Sequence, residues 1–120
     1  MSRFVTALDI RAPAQDGEKW TVVEPLIYES TVAGIVITVP AGFETDLASV
    51  PRLPLVYMAT GGTANAAAVI HDYLYTSHTV PRDVADAVLR EASAVTGVPG
   101  WRRWSMWAAV RLFGGGAWDD

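Results

Sequence analysis

The residues of this chain that could do chemistry fall into three short stretches. FETDLASVPR, residues 43–52, sets Thr45, Asp46, Ser49 and Arg52 between Phe43 and the prolines at 51 and 54. HDYLY, residues 71–75, supplies an imidazole, a carboxylate and phenols. His71 and Tyr75 stand four apart and share a helix face with Ala67 and Ala68, whereas Asp72 points about 100° away. RDVAD, residues 82–86, adds Arg82, Asp83 and Asp86, with Asp86 four residues before Arg90 at ion-pair spacing. One imidazole among such carboxylates offers ligands for a divalent metal ion, or a carboxylate-oriented general base acting on water. His71, Asp46 and Asp72 are the candidate metal ligands, with a divalent metal as the cofactor they would take. His71, Asp46, Ser49 and Asp72 are the candidate catalytic residues, Ser49 acting as nucleophile if His71 reaches it. Thr45, Arg52, Tyr75, Arg82 and Asp86 complete a candidate binding set.

Each of these residues also has a purely architectural use. Asp46 can cap a short helix beginning at Leu47, and Ser49 one entered through Pro51 and Pro54. Arg52 can pair with Asp46 or Asp86. His71 can be a core histidine, Asp72 can bond to the backbone or to an arginine of the last helix, and Asp83 suits the first turn of a helix. No HExxH or G-x-S-x-G stretch occurs, and His78 sits in a Thr/Ser turn where solvation accounts for it. A buried polar network and a ligand or metal site therefore both stay open.

The elements that must position these residues divide the chain in two. Residues 3–10, 19–29 and 34–39 are rich in Val, Ile, Thr and aromatics and predict short antiparallel strands, the second interrupted or at an edge because of Pro25. After Gly42 the pattern turns helical. Thr63 can cap a helix through ANAAAVIHDYLY, and Thr79 one with Pro81 in its first turn. The latter carries a stripe of Val84, Val88, Leu89, Ala92 and Val95 and stops at Gly97. A last helix begins at a proline and ends in glycines. The expected fold is α+β: a single domain over 1–120, mainly strands to residue 40 and mainly helical over 41–116, with a small antiparallel sheet of about three strands packed on three to four C-terminal helices.

The last helix, WRRWSMWAAVRLF, is apolar nearly all round. Its tryptophans can plug the core while its arginines snorkel, or one face can dock on a partner through Trp101, Trp104, Trp107 and Arg103. Composition narrows the partner. In 120 residues, 13 acidic groups against 9 basic ones leave a formal charge of −4, which gives no electrostatic reason to bind nucleic acid. The chain has no cysteine, which excludes disulfides, thiolate zinc sites and thiol nucleophiles. No apolar run has the length of a signal peptide or of a bilayer span, so membrane insertion is not expected and the chain reads as soluble and made in the cytoplasm.

Taken in order, F-x-T-D-L-A-S-V-P-R (43–52), A-x-x-H-D-Y-L-Y (68–75), R-x-x-A-D-x-x-L (82–89) and W-R-R-W-S-M-W-A-A-V-R-L-F-G (101–114) resemble a phage and prophage family known as domain of unknown function 1353. The resemblance runs from about Val39 to Gly114 and implies a bacteriophage or prophage origin, but no chemistry. Its characteristic positions map onto Thr45, Asp46, Ser49, Pro51, His71, Asp72, Tyr75, Arg82 and Asp86. The functional expectation is a structural or assembly-associated protein of the tail or neck of a virion, binding other virion proteins or further copies of itself, in the virion or the host cytoplasm. The alternative is a small, metal-dependent hydrolase acting on the host cell wall through the His/Asp site.

Overall fold

The computed structural model describes residues 2–11, 19–45, 63–113 and 115–119. Six short strands precede the helices: β1 (Arg3–Phe4), β2 (Ile10–Arg11), β3 (Trp20–Val22), β4 (Leu26–Ser30), β5 (Ile35–Val39) and β6 (Glu44–Thr45). They form two antiparallel three-stranded sheets, ordered β1-β4-β5 and β2-β3-β6, rather than the one sheet the sequence led us to expect.

The division has a local cause. Pro25 has no N–H to give a strand ladder, and the stretch 19–29 breaks there into β3 and β4, one in each sheet. The stretch 3–10 is also interrupted, between β1 and β2. The Thr6 hydroxyl fastens the two breaks together, donating to the Pro25 carbonyl at 3.0 Å and accepting from the Ile27 N–H at 2.9 Å. In β4, Leu26, Tyr28 and Ser30 are buried while Ile27 and Glu29 are half-buried, as the two-residue period of a strand requires. β5 returns through a turn closed by Gly34, whose φ of 70° suits glycine, and its N–H donates to the Ser30 carbonyl at 3.0 Å.

Three helices follow, α1 (Thr63–Ser77), α2 (Arg82–Val95) and α3 (Gly100–Phe113), and a five-residue turn of helix, α4 (Gly115–Asp119), closes the described chain. α2 packs on both α1 and α3. It starts differently from the sequence expectation. Pro81 takes the N-cap position with ψ 156° and no side chain caps the helix, while the Thr79 hydroxyl pairs with Ser77 at 2.8 Å. The turn at His78, φ 53°, leaves Thr79 too early in the chain to reach the helix end.

The C-terminus of α2 follows the expected stop. Gly97 has φ 89°, its N–H donates to the Ala94 carbonyl, and the Val98 N–H donates to the Ser93 carbonyl at 2.9 Å. This is the paired-bond ending that a left-handed glycine allows, and Val98 is buried beneath it. The buried face of α2 is also shifted from the expected stripe. Ala85, Val88, Leu89 and Ala92 are buried with Asp86 and Ser93, whereas Val95 is exposed. A helix covered on two flanks buries more than a single stripe, and here the extra positions are polar.

One buried cluster draws on both sheets and the first three helices, with Val22, Leu26, Tyr28, Ile37 and Val39 meeting Ile70, Leu74, Leu89, Met106 and Val110. The fold is α+β. No described helix is long and apolar enough to cross a membrane.

Candidate functional site

The polar side chains of the three helices converge on Asp86. Its carboxylate is fully buried, and each oxygen is engaged. His71 Nε2 lies 2.8 Å from Oδ1 and the Tyr75 hydroxyl donates to the same oxygen at 2.6 Å. Arg111 Nη1 donates to Oδ2 at 2.9 Å. An ionised carboxylate only accepts, so His71 Nε2 carries the hydrogen of the shared bond. Arg82 adds an outer layer: its Nε donates to the Tyr75 oxygen at 3.2 Å, and its Nη2 donates to the carbonyls of Val110 at 2.8 Å and Arg111 at 3.0 Å. The last carbonyls of α3 lack partners within the helix, and a guanidinium there complements the helix dipole.

The four-residue spacing on α1 aims two donors at one oxygen, because His71 and Tyr75 lie one turn apart, with tilted rings whose centroids are 4.2 Å apart. Asp86 occupies the buried face of α2, and Arg111 reaches across from the end of α3. Burial alone would raise the Asp86 pKa. The bonds from His71, Tyr75 and Arg111 outweigh burial and hold it below the ordinary aspartate value. Burial and the bond to Asp86 push the Tyr75 phenol up, which keeps it a donor.

A second carboxylate does the same for the sheet. Glu91 of α2 accepts from the Tyr28 and Ser30 hydroxyls at 2.8 Å each and from the Val32 N–H at 2.9 Å. Burial would raise its pKa, but these bonds and one from Ser2 lower it. Two carboxylates on one helix thus tie α2 to the helices on one side and to the β4–β5 hairpin on the other.

The structure brings together four of the residues singled out from the sequence: His71, Tyr75, Arg82 and Asp86. Thr45 is buried in β6 opposite Trp20, and Asp72 is buried on α1. Asp83 is exposed in the first turn of α2. Asp46, Ser49, Pro51 and Arg52 lie outside the described residues, so the nucleophile and one of the metal ligands do as well. Among the described residues, no group of three or more His, Asp or Glu side chains is arranged to hold a metal ion.

The sequence pairing of Asp86 with Arg90 does not form. Asp86 turns inward, and the Arg90 guanidinium lies 5.5 Å over the Trp107 ring instead. His78 is exposed but not merely solvated: it stacks on Trp118 at 3.9 Å and its Nε2 lies 2.9 Å from the Trp118 carbonyl. Trp118 also meets the edge of Tyr75, with centroids 5.3 Å apart. Sequence reasoning gave Arg111, Glu91 and Trp118 no such roles, and only the cationic position of Arg111 near a helix C-terminus gave any signal.

The tryptophans of α3 do not plug the core. Met106 and Val110 do so, while Trp101 is 67% exposed, Trp104 60% and Leu112 74%, and Trp107 is half-buried beneath Arg90. Positions 101, 104, 108 and 112 follow the helical repeat and line one outer face. Arg102 lies 5.1 Å over the Trp101 ring, and Arg103 Nη1 donates to the Val98 carbonyl at 2.8 Å. Surface clefts of about 590, 500 and 290 Å³ are lined by residues other than His71, Asp72, Tyr75 and Asp86.

A domain with this α+β architecture and a carboxylate-centred helix junction is matched over residues 20–110 by one family, described as protein of unknown function (DUF1353), and the chain belongs to it. No curated protein and no solved structure matches the chain.

Proposed function

We propose that this chain is a phage- or prophage-encoded structural or assembly-associated protein, of the tail or neck region of a virion, which docks on neighbouring particle proteins through the outer face of α3. The observation that carries this reading is the exposure of Trp101, Trp104 and Leu112 along one helix face. Tryptophan is costly to leave in water and is enriched where interfaces form. The Asp86 network supports the same reading from the other side, because its carboxylate is already saturated by three helices and serves to hold α3 in place.

The test is to induce the genetic element that carries the gene and to follow the tagged protein into purified particles, beside a Trp101→Ser/Trp104→Ser variant. Incorporation of the parent chain and its loss in the variant, with unchanged melting, is the expected result. A parent chain absent from particles and from their assembly intermediates would overturn the reading.

The second reading is a small hydrolase of the host cell wall, and it draws on the His71–Asp86 pair at 2.8 Å. A carboxylate that fixes an imidazole is the arrangement a general base needs. Release of soluble fragments from purified peptidoglycan, lost in His71→Ala and on chelation, would favour it. Intact peptidoglycan after incubation with the parent chain and added zinc would remove it.

A further inference from the structure

Two surface clefts share the same pair of arginines. One, of about 290 Å³, is lined by Arg90, Gly100, Arg103 and Trp104. The other, of about 590 Å³, is lined by the same two arginines with Trp107, Asp83 and Glu91. Neither Arg90 nor Arg103 meets a carboxylate among the described residues, whose ion pairs use Arg3, Arg82, Arg111 and His71. Both guanidinium groups are nevertheless held in place. Arg90 lies over the Trp107 ring at 5.5 Å, and Arg103 is fixed by the Val98 carbonyl at 2.8 Å. Its Nη2 would stand 3.6 Å from a Cβ at Gly100, an ordinary contact distance, which places the guanidinium over the start of α3.

Resting on the docking reading above, we propose that the α2–α3 cleft is the part of the interface that takes an acidic peptide segment of the partner protein. A carboxylate of that segment sits between Arg90 and Arg103, and a neighbouring apolar side chain packs on Trp104 and Trp107. Charge complementarity selects the ligand. Two guanidinium groups that meet no carboxylate among the described residues match one supplied by a partner, and their contacts with Trp107 and the Val98 carbonyl lower the entropy cost of ordering them on binding. Charge also favours a peptide over nucleic acid. Asp83 and Glu91 line the larger cleft beside the arginines and the whole chain has a formal charge of −4, which opposes a run of phosphates more than a single carboxylate. The exposed indole of Trp104 supplies the apolar surface that such a segment would cover.

The probe is a fluorescein-labelled peptide with a single Glu flanked by Leu in an otherwise uncharged segment, followed by anisotropy, beside its Gln-for-Glu counterpart and an oligothymidylate. The parent chain should bind the acidic peptide and neither control. Arg90→Gln should weaken binding by about tenfold or more, as loss of a charge-assisted bond implies, and added salt should weaken it further. Arg90 is exposed, so the variant should melt close to the parent, and Trp104→Ala provides a second lesion outside the core. The proposal is overturned if the acidic peptide does not bind, if Arg90→Gln, Arg103→Gln and Trp104→Ala all bind it as the parent does, or if the oligothymidylate binds as well as the peptide. Those outcomes leave the docking reading standing as long as particles still take up the chain in a Trp101-dependent way.

Discussion

The Asp86 carboxylate and the His71 imidazole face each other at 2.8 Å between α2 and α1, with side-chain exposures of 0% and 2%. A charged group taken so far out of water survives only if its partners replace the water it lost. Tyr75 and Arg111 complete that replacement, and the carboxylate becomes the point at which three helices are fixed relative to one another.

Removing the hub should therefore be severe. Asp86→Ala leaves His71, Tyr75 and Arg111 without their acceptor and is expected to cost about 3–5 kcal/mol in denaturant unfolding, the range for breaking a buried pair. Arg111→Met, which removes one donor from a partly exposed position, should cost less. Equal effects of the two changes would mean that Arg111 carries the junction alone.

Acid should loosen the fold through the same groups. The pKa values of Asp86 and Glu91 are lowered from the ordinary 3.8 and 4.5. A lowered folded value means that the unfolded chain takes up the proton first as pH falls. The stabilisation is thus complete above the ordinary values and is lost as pH drops through the folded ones. Urea midpoints should be level from neutral pH down to about 5 and fall below about 4.5, with a shallower fall in Glu91→Gln.

Glu91 should matter to the sheet rather than to the helix junction. Glu91→Ala strands the Tyr28 and Ser30 hydroxyls and the Val32 N–H, and is expected to cost about 2–3 kcal/mol. Amide exchange in this variant should rise first in the β4–β5 hairpin. Uniform acceleration throughout the chain would show that the hairpin has no separate dependence on Glu91.

The outer face of α3 should be dispensable for folding. Trp101→Ser and Trp104→Ser remove side chains that are 67% and 60% exposed, and each is expected to shift stability by no more than about 0.5 kcal/mol. A larger loss in thermal melts would assign the indoles to the core.

What could be read from the sequence was local. The shared face of His71 and Tyr75 follows from four-residue spacing, and Gly97 stops α2 because only its φ freedom permits that ending. The Asp86–Arg90 pair does not form because spacing along one helix says nothing about which face a neighbouring helix covers, and here that face is the one that carries Asp86. Arg111 reaches Asp86 from 25 positions away, and Glu91 takes its donors of the β4–β5 hairpin from 59 to 63 positions away. No periodicity carries such information, since these contacts exist only once the helices have packed. The double sheet was hidden similarly, because Thr6 and Pro25 determine it by meeting in space.

Site-specific photocrosslinking during particle assembly shows whether the tryptophan face of α3 meets a partner. A benzophenone side chain placed at position 104 should crosslink to a neighbouring particle protein, while one at Val36, exposed on β5, should not. Particles that contain the chain but yield crosslinks only from position 36 would show that α3 faces away from its neighbours.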